Sequence, residues 1–306
     1  MGEAIDDYIA SKDGVLSPST IQGYQKIRRV SMQEIMDVPV KLLTQQKVQD
    51  AINAECKTVS KRTGKKPSPK TIHNMHGLLS AALSMACPEF TLQTTLPSIS
   101  KKILELPDAA SIMAAVKGSD VELPVLLAMW LSFSMSEVRG LTMKSIHDGY
   151  IIIDQVVIDV DGQPITKKAT KAYERTRKHR IPAPIMQLIK DTEAYRSGSG
   201  YLVTMNRQTI FKHFQRLLAE HGLDKITFHQ LRHLNASVML ALGVPDLYAM
   251  ERGGWATNST LKRVYQHTFS AERARVDDKI DNYFTRLYVD TKMDTTSEKP
   301  RETGAS

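Results

Sequence analysis

The chain is expected to be a mainly α-helical protein of two domains, with a small antiparallel β-sheet in the second. Three features lead there. Ser-Pro phrases that start helices recur in the first third of the chain, and a stretch from Pro88 to Pro107 rich in Thr, Ser, Pro and Lys lacks sustained periodicity. The third feature is a single β-branched run, Tyr150 to Val160, followed by the turn pair Asp161-Gly162.

In Leu16-Ser17-Pro18-Ser19-Thr20-Ile21 a hydroxyl residue can cap the free amides of a first turn, and Pro18 suits an early helical position. Ile21, Tyr24 and Ile27 then fall on one face. A second helix is expected over Thr44 to Ala54, with Thr44 as its cap. A third follows Ser68-Pro69-Lys70-Thr71-Ile72 and carries Met75, Leu78, Leu79 and Ala82 inward. These helices make a first domain of residues 1-87, and 88-107 reads as a linker. The second domain, 108-289, should open with helices over Ala109 to Val116 and Leu123 to Phe133. The run at Tyr150 and the stretch Ile165 to Ile181 then make a hairpin or three-stranded sheet. Helices resume from Pro184 to about Tyr288, and the polar tail 290-306 is expected to be disordered.

Across 306 residues, 41 Lys and Arg face 33 Asp and Glu, a net charge of +8 with a pI near 9.3. Such a balance suits a polyanionic partner, because counterions released on association favour binding. Lys26, Arg28, Lys65, Lys66 and Lys70 cluster near helix ends and in a connecting loop of the first domain, where they are candidate DNA contacts. Two cysteines, Cys56 and Cys87, are too few for a disulfide framework or a cysteine-based zinc site, which points to an intracellular protein. The longest apolar stretch, Val125 to Phe133, is too short to span a bilayer, so no membrane role is expected.

The densest chemistry lies in Ile226-Thr227-Phe228-His229-Gln230-Leu231-Arg232-His233. Thr227 and Gln230 have capping-box spacing, so a helix should begin here, carry Leu231, Leu234, Val238 and Leu242 inward, and stop at Gly243. His229 and Arg232 would share a face of its first turns, where the positive end of the helix dipole helps grip a phosphate. A zinc reading of His229 and His233 fails. Gln230 stands where a metalloprotease needs Glu, and Arg232 would repel a cation. Downstream, Gly253-Gly254-Trp255 closes a helix begun at Pro245, and a further helix carries Leu261, Val264 and Tyr265.

His229-x-x-Arg232-His233, then Gly254-Trp255, then Tyr265-Gln266-His267 resembles the carboxy-terminal signature of the tyrosine recombinase, or phage integrase, family. Ser136-Glu137-Val138-Arg139-Gly140-Leu141 looks like the second half of that family's first-arginine box. Thr170-Lys171, with Arg177 and Ile181-Pro182 behind it, looks like the hairpin of its catalytic lysine. The amino-terminal helices are similar to its core-DNA-binding domain, so the resemblance covers nearly the whole chain expected to be ordered. It is strongest toward integrases of phages and integrative elements of Gram-positive bacteria.

The resemblance implies a two-domain clamp around duplex DNA, a core-binding domain followed by a tyrosine recombinase catalytic domain, working without a cofactor. Arg232 would hold nonbridging oxygens of the scissile phosphate, since a guanidinium fork neutralises a phosphorane without a metal. Tyr265 would attack phosphorus and leave a 3′-phosphotyrosine, an ester that conserves bond energy for resealing. Lys171 would protonate the departing 5′-oxygen, in preference to Lys167, Lys168 or Lys178 on the same hairpin. His229 would assist proton transfer. Trp255 would pack on the site and donate its indole N–H, where many relatives carry His.

The family pattern departs at one position: relatives place an arginine three residues before the glutamate, and here Ser134 stands there. Either the enzyme is slowed by this substitution, or Arg139 reaches the phosphate instead. Many integrases of this group carry a further amino-terminal arm-binding domain, and this chain starts directly at the core-binding helices, as a truncated form would.

The implied partners are double-stranded attachment sites, three further copies in a homotetramer on paired DNA sites, and accessory bending or directionality proteins. The implied location is the nucleoid of a bacterial host cytoplasm. Val276, Ile280, Tyr283, Phe284 and Leu287 form an apolar stripe expected to dock on a neighbouring protomer. Two alternatives stay open: strand relaxation of the type IB topoisomerase kind, and a noncatalytic DNA-binding protein using Phe228 to Met250 as a helix-turn-helix.

Overall fold

The computed structural model describes residues 1–60, 63–99, 106–168, 177–258, 261 and 280–285. The described residues divide into two compact units, the first within Met1–Lys102 plus Ile158–Ile165 and the second from the remainder. The fold is mostly helical with small antiparallel sheets, as expected.

The first unit holds α1 (Gly2–Ser11), α2 (Pro18–Val30), α3 (Gln33–Met36), α4 (Gln45–Lys57) and α5 (Pro69–Ala86). Caps decide where three of these begin: Ser17 Oγ accepts from the Thr20 amide, Thr44 Oγ1 from Lys47 and Ser68 Oγ from Thr71. Their inward faces bury Val48, Ile52, Ile72, Leu78, Leu79 and Leu83 together with Ile5 of α1. Sequence reading did not find α1, whose start has no side-chain cap bond.

Residues 88–99, expected to belong to a linker, are fastened to this unit. Gln45 donates to Thr91 O at 2.6 Å and accepts from the Gln93 amide at 2.9 Å, while Gln49 makes the same pair of bonds with Thr95. Phe90, Leu92 and Leu96 pack on the helical core.

The second unit is organised around α7 (Glu122–Leu131), whose Leu123, Val125, Leu126, Leu127 and Leu131 are all buried. Around it lie α6 (Ala109–Val116), α8 (Met135–Gly140), α9 (Ala183–Lys190), α10 (Glu193–Ser197), α11 (Arg207–Glu220), α12 (Gln230–Ala241) and α13 (Asp246–Gly253). The α7 helix stops two residues before the expected Phe133, because Ser132 turns left-handed at φ 62°. Two small sheets replace the single expected one. Strand β2 (Tyr150–Ile152) pairs antiparallel with β1 (Ile146–His147) on one side and β5 (Lys178–Arg180) on the other. Strands β3 (Gln155–Val160) and β4 (Gln163–Lys168) form their own hairpin, of which Ile158–Ile165 belongs to the first unit, turned at Asp161 and Gly162, both with positive φ.

Candidate active site

The α8 helix begins at Ser134, whose Oγ accepts from the Glu137 amide at 3.4 Å. Glu137 Oε2 in turn accepts from the Ser134 amide at 2.6 Å, completing a capping box. Ser134 therefore serves the helix start, and its reciprocal bond fixes the Glu137 carboxylate.

Two guanidinium groups meet that carboxylate. Arg177 Nη2 donates to Glu137 Oε1, and Arg232 Nη1 donates to Oε2 at 3.2 Å. Arg177 Nη1 also donates to the carbonyls of Ser132 and Arg252, at 3.3 and 3.2 Å, and Arg232 Nη2 donates to Gly253 O at 2.8 Å. Both side chains are more than nine-tenths buried. Their planar forks are thus held by fixed acceptors from α8, the end of α7 and the end of α13.

Burial alone would raise the Glu137 carboxyl, but Arg177 and Arg232 outweigh it and hold the group below its ordinary range. Burial likewise lowers the Arg232 guanidinium, with Glu137 opposing that shift. His179 Nε2 is buried without a partner among the described residues. Burial, then Arg177 and Arg252, push the ring down to about 3, so it stays neutral. His229 is lowered first by burial and then by Arg232, which favours the neutral imidazole able to accept a proton.

Trp255 is 7% exposed and lies beside the Arg232 guanidinium, 5.9 Å from ring centre to Cζ. The backbone before it admits no side chain. A Cβ on Gly253 would sit 2.2 Å from the Trp255 ring, and one on Gly254 would sit 2.9 Å from Arg177 Nε. Gly254 also closes α13 at φ 66°.

The structure brings Arg232 and Trp255 together, with Ser134 joined to Arg232 through Glu137. The α12 helix starts at Gln230 with His229 as its N-cap residue, in a helical backbone conformation, and the Arg232 amide donates to His229 O at 3.1 Å, so the two residues bracket the helix start. Only half of the expected Thr227 capping box is found, the bond from the Thr227 amide to Gln230 Oε1 at 2.6 Å. His229 lies 5.0 Å from His233 in a T-shaped pair and lines a cavity of about 650 Å³ with Ser134, Arg207, Phe211 and Lys212. Arg139 is buried at the last turn of α8. Lys171 and Tyr265 lie outside the described residues.

Of the candidate DNA contacts, Lys26, Lys65, Lys66 and Lys70 are exposed, whereas Arg28 is engaged by Asp6 at 3.1 Å and by Gly2 O. Within the apolar stripe only 280–285 is described; it is helical, with Ile280, Tyr283 and Phe284 exposed. Arg252 was not singled out from sequence, and Glu137 and Arg177 stood there only as parts of motifs, because the bonds joining them span dozens of residues.

The model of the phage integrase family matches residues 103–272, over half of the chain, and the chain belongs to that family. An integrase of Saccharopolyspora erythraea is 38% identical over 71 residues, 23% of this chain and 16% of that protein. A tyrosine recombinase XerC-like protein of Caldanaerobacter subterraneus subsp. tengcongensis is 21% identical over 227 residues, 64% of this chain and 57% of that protein. The chain thus spans less than two thirds of either relative.

Among solved structures, the Tn1549 transposon integrase in complex with transposon right end DNA matches with a TM-score of 0.69 at 15% identity. That match covers 91% of this chain and 98% of the other. A lambda integrase tetramer bound to a Holliday junction matches with a TM-score of 0.62 at 17% identity, over 87% and 77% of the two chains. These likenesses show the fold. No helix among the described residues is long and apolar enough to cross a membrane.

Proposed function

We propose that this chain is a site-specific DNA recombinase that integrates or excises a mobile element or prophage, cutting and rejoining strands through a 3′-phosphotyrosine on Tyr265. The observation that carries the reading is the convergence of two buried guanidiniums, a neutral imidazole at a helix start and an indole around the segment that the family signature occupies. A DNA phosphodiester presents the charge such a set fits. The metal-free transfer needs directed donors on its nonbridging oxygens.

In this reading Arg232 and Trp255 grip the phosphate, His229 moves the phenol proton, and Lys171 protonates the departing 5′-oxygen. Residues 1-87 act as the core-binding domain, with exposed Lys26, Lys65, Lys66 and Lys70 on the phosphate backbone, and 108-289 as the catalytic domain. Four copies on two DNA sites pass through a Holliday junction, and the exposed Ile280, Tyr283 and Phe284 are the surface by which one copy docks on the next. The nucleoid of a bacterial cell is where such a substrate lies.

The test is a nicked suicide duplex, carrying a site selected from random DNA by binding to the protein. The wild-type chain should form a denaturation-resistant adduct on it and Tyr265→Phe none. An adduct of equal yield in the phenylalanine variant removes the reading.

A further inference from the structure

Position 134, which the family resemblance aligns with the first arginine, holds a helix-capping serine, so on that alignment one cation is missing from the α8 side of the site. We propose that Arg177 supplies this second guanidinium, entering from the residue just before β5 rather than from α8, and contacts the scissile phosphate together with Arg232; the proposal rests on the recombinase reading above.

Four observations lead there. Arg177 and Arg232 each take one oxygen of the same carboxylate, so the two forks are held side by side by Glu137. Arg177 is also fixed by two backbone carbonyls and lies over the Phe133 ring at 5.7 Å, an arrangement that sets the plane of a fork and that a lysine could not reproduce. It reaches Gly254, next to Trp255, and with Trp255, Lys178, Arg180 and Arg252 it lines a cavity of about 600 Å³. Finally, Arg232 Nε and Ser132 Oγ, the latter beside the carbonyl that holds Arg177, are buried and have no acceptor among the described residues. Unfilled donors next to two cations call for an oxyanion.

Two guanidiniums and one carboxylate leave a single net positive charge. Glu137 thus keeps the cations apart from each other's repulsion while no substrate is bound, and a phosphate adds acceptors without displacing it. Arg177 takes no part in bond changes. The Tyr265 oxygen forms its bond to phosphorus and gives up its proton to a base as the P–O5′ bond breaks, and the 5′-oxygen takes a proton from an acid. The added guanidinium neutralises the nonbridging oxygens throughout.

The test compares the selected nicked duplex carrying an ordinary scissile phosphate with the same duplex carrying a neutral methylphosphonate there. Arg177→Gln should slow adduct formation about 100-fold on the phosphate and less than about 10-fold on the methylphosphonate, because the charge it neutralises is gone. Arg177→Lys, which keeps a cation beside Glu137 and so protects the fold, should show the same ordering with a smaller loss. Equal losses on both duplexes mean that Arg177 only supports the structure, and overturn the proposal.

Calorimetric titration with inorganic phosphate separates this from failure of the recombinase reading. Saturable binding by the wild type that weakens at least 10-fold in Arg177→Gln supports the assignment even if no adduct forms with any DNA. Unchanged binding, or none in the wild type, counts against it.

Discussion

Glu137 and Arg232 stand 95 residues apart in the chain and 3.2 Å apart in the fold. The same carboxylate receives Arg177 and the Ser134 amide, so one acidic side chain ties together the ends of α7, α8 and α13. Its removal tests the whole cluster.

Glu137→Gln keeps the shape but leaves two buried guanidiniums without a counter-charge. Breaking such a pair costs about 3 kcal/mol or more, and the urea midpoint should fall accordingly with an unchanged slope. A midpoint within error of the wild type would mean that the ion triad contributes no stability.

Ser134→Ala removes the Oγ that caps α8 and should cost about 1 kcal/mol. Ser134→Arg loses the same cap but restores a guanidinium to the helix start. In an Arg177→Gln background it is expected to raise adduct formation at least about 10-fold, since one phosphate donor is worth 100-fold or more. No recovery in the double variant would separate position 134 from the phosphate.

Gly254→Ala combines a left-handed backbone at φ 66° with a Cβ placed 2.9 Å from Arg177 Nε. Strain and overpacking together should cost about 2 kcal/mol in thermal or urea unfolding and slow the reaction, because Arg177 must shift. Full activity would show that the Arg177 position is not critical.

His179 gives the pH dependence. Its ring is held neutral down to about 3, whereas in the unfolded chain it takes up a proton below about 6.5. Stability from this residue is therefore complete above that value and is lost as pH falls toward 3. By pH 5 the loss is about 2 kcal/mol. Urea unfolding at pH 7 and pH 5 should show a smaller gap in His179→Leu than in the wild type; equal gaps would place the acid sensitivity elsewhere, with His229, lowered from the same ordinary value, the next candidate.

Local chemistry was legible in the sequence and distant pairing was not. Ser17, Thr44 and Ser68 announced their helices because a cap and its amide lie three residues apart, and Gly254 announced the end of α13 in the same way. Arg232 and Trp255 were picked out with the segment that carries them. The α1 helix escaped because no cap marks it, and residues 88–99 read as a linker because Gln45 and Gln49 meet them some 46 residues away. The hairpin arginine could be placed in a motif, yet nothing in its neighbourhood told that it would meet Glu137, 40 positions earlier.

The space at position 253 carries a consequence for descent. While an indole occupies position 255, only hydrogen fits as the side chain two residues before it, since any carbon there would overlap the ring at 2.2 Å. Lineages with a smaller imidazole at 255 are released from that restriction, so drift at 253 should appear only where the tryptophan has first been lost. A natural homologue retaining the indole beside an alanine or serine at 253 would show that the backbone yields there, and that the two positions change independently.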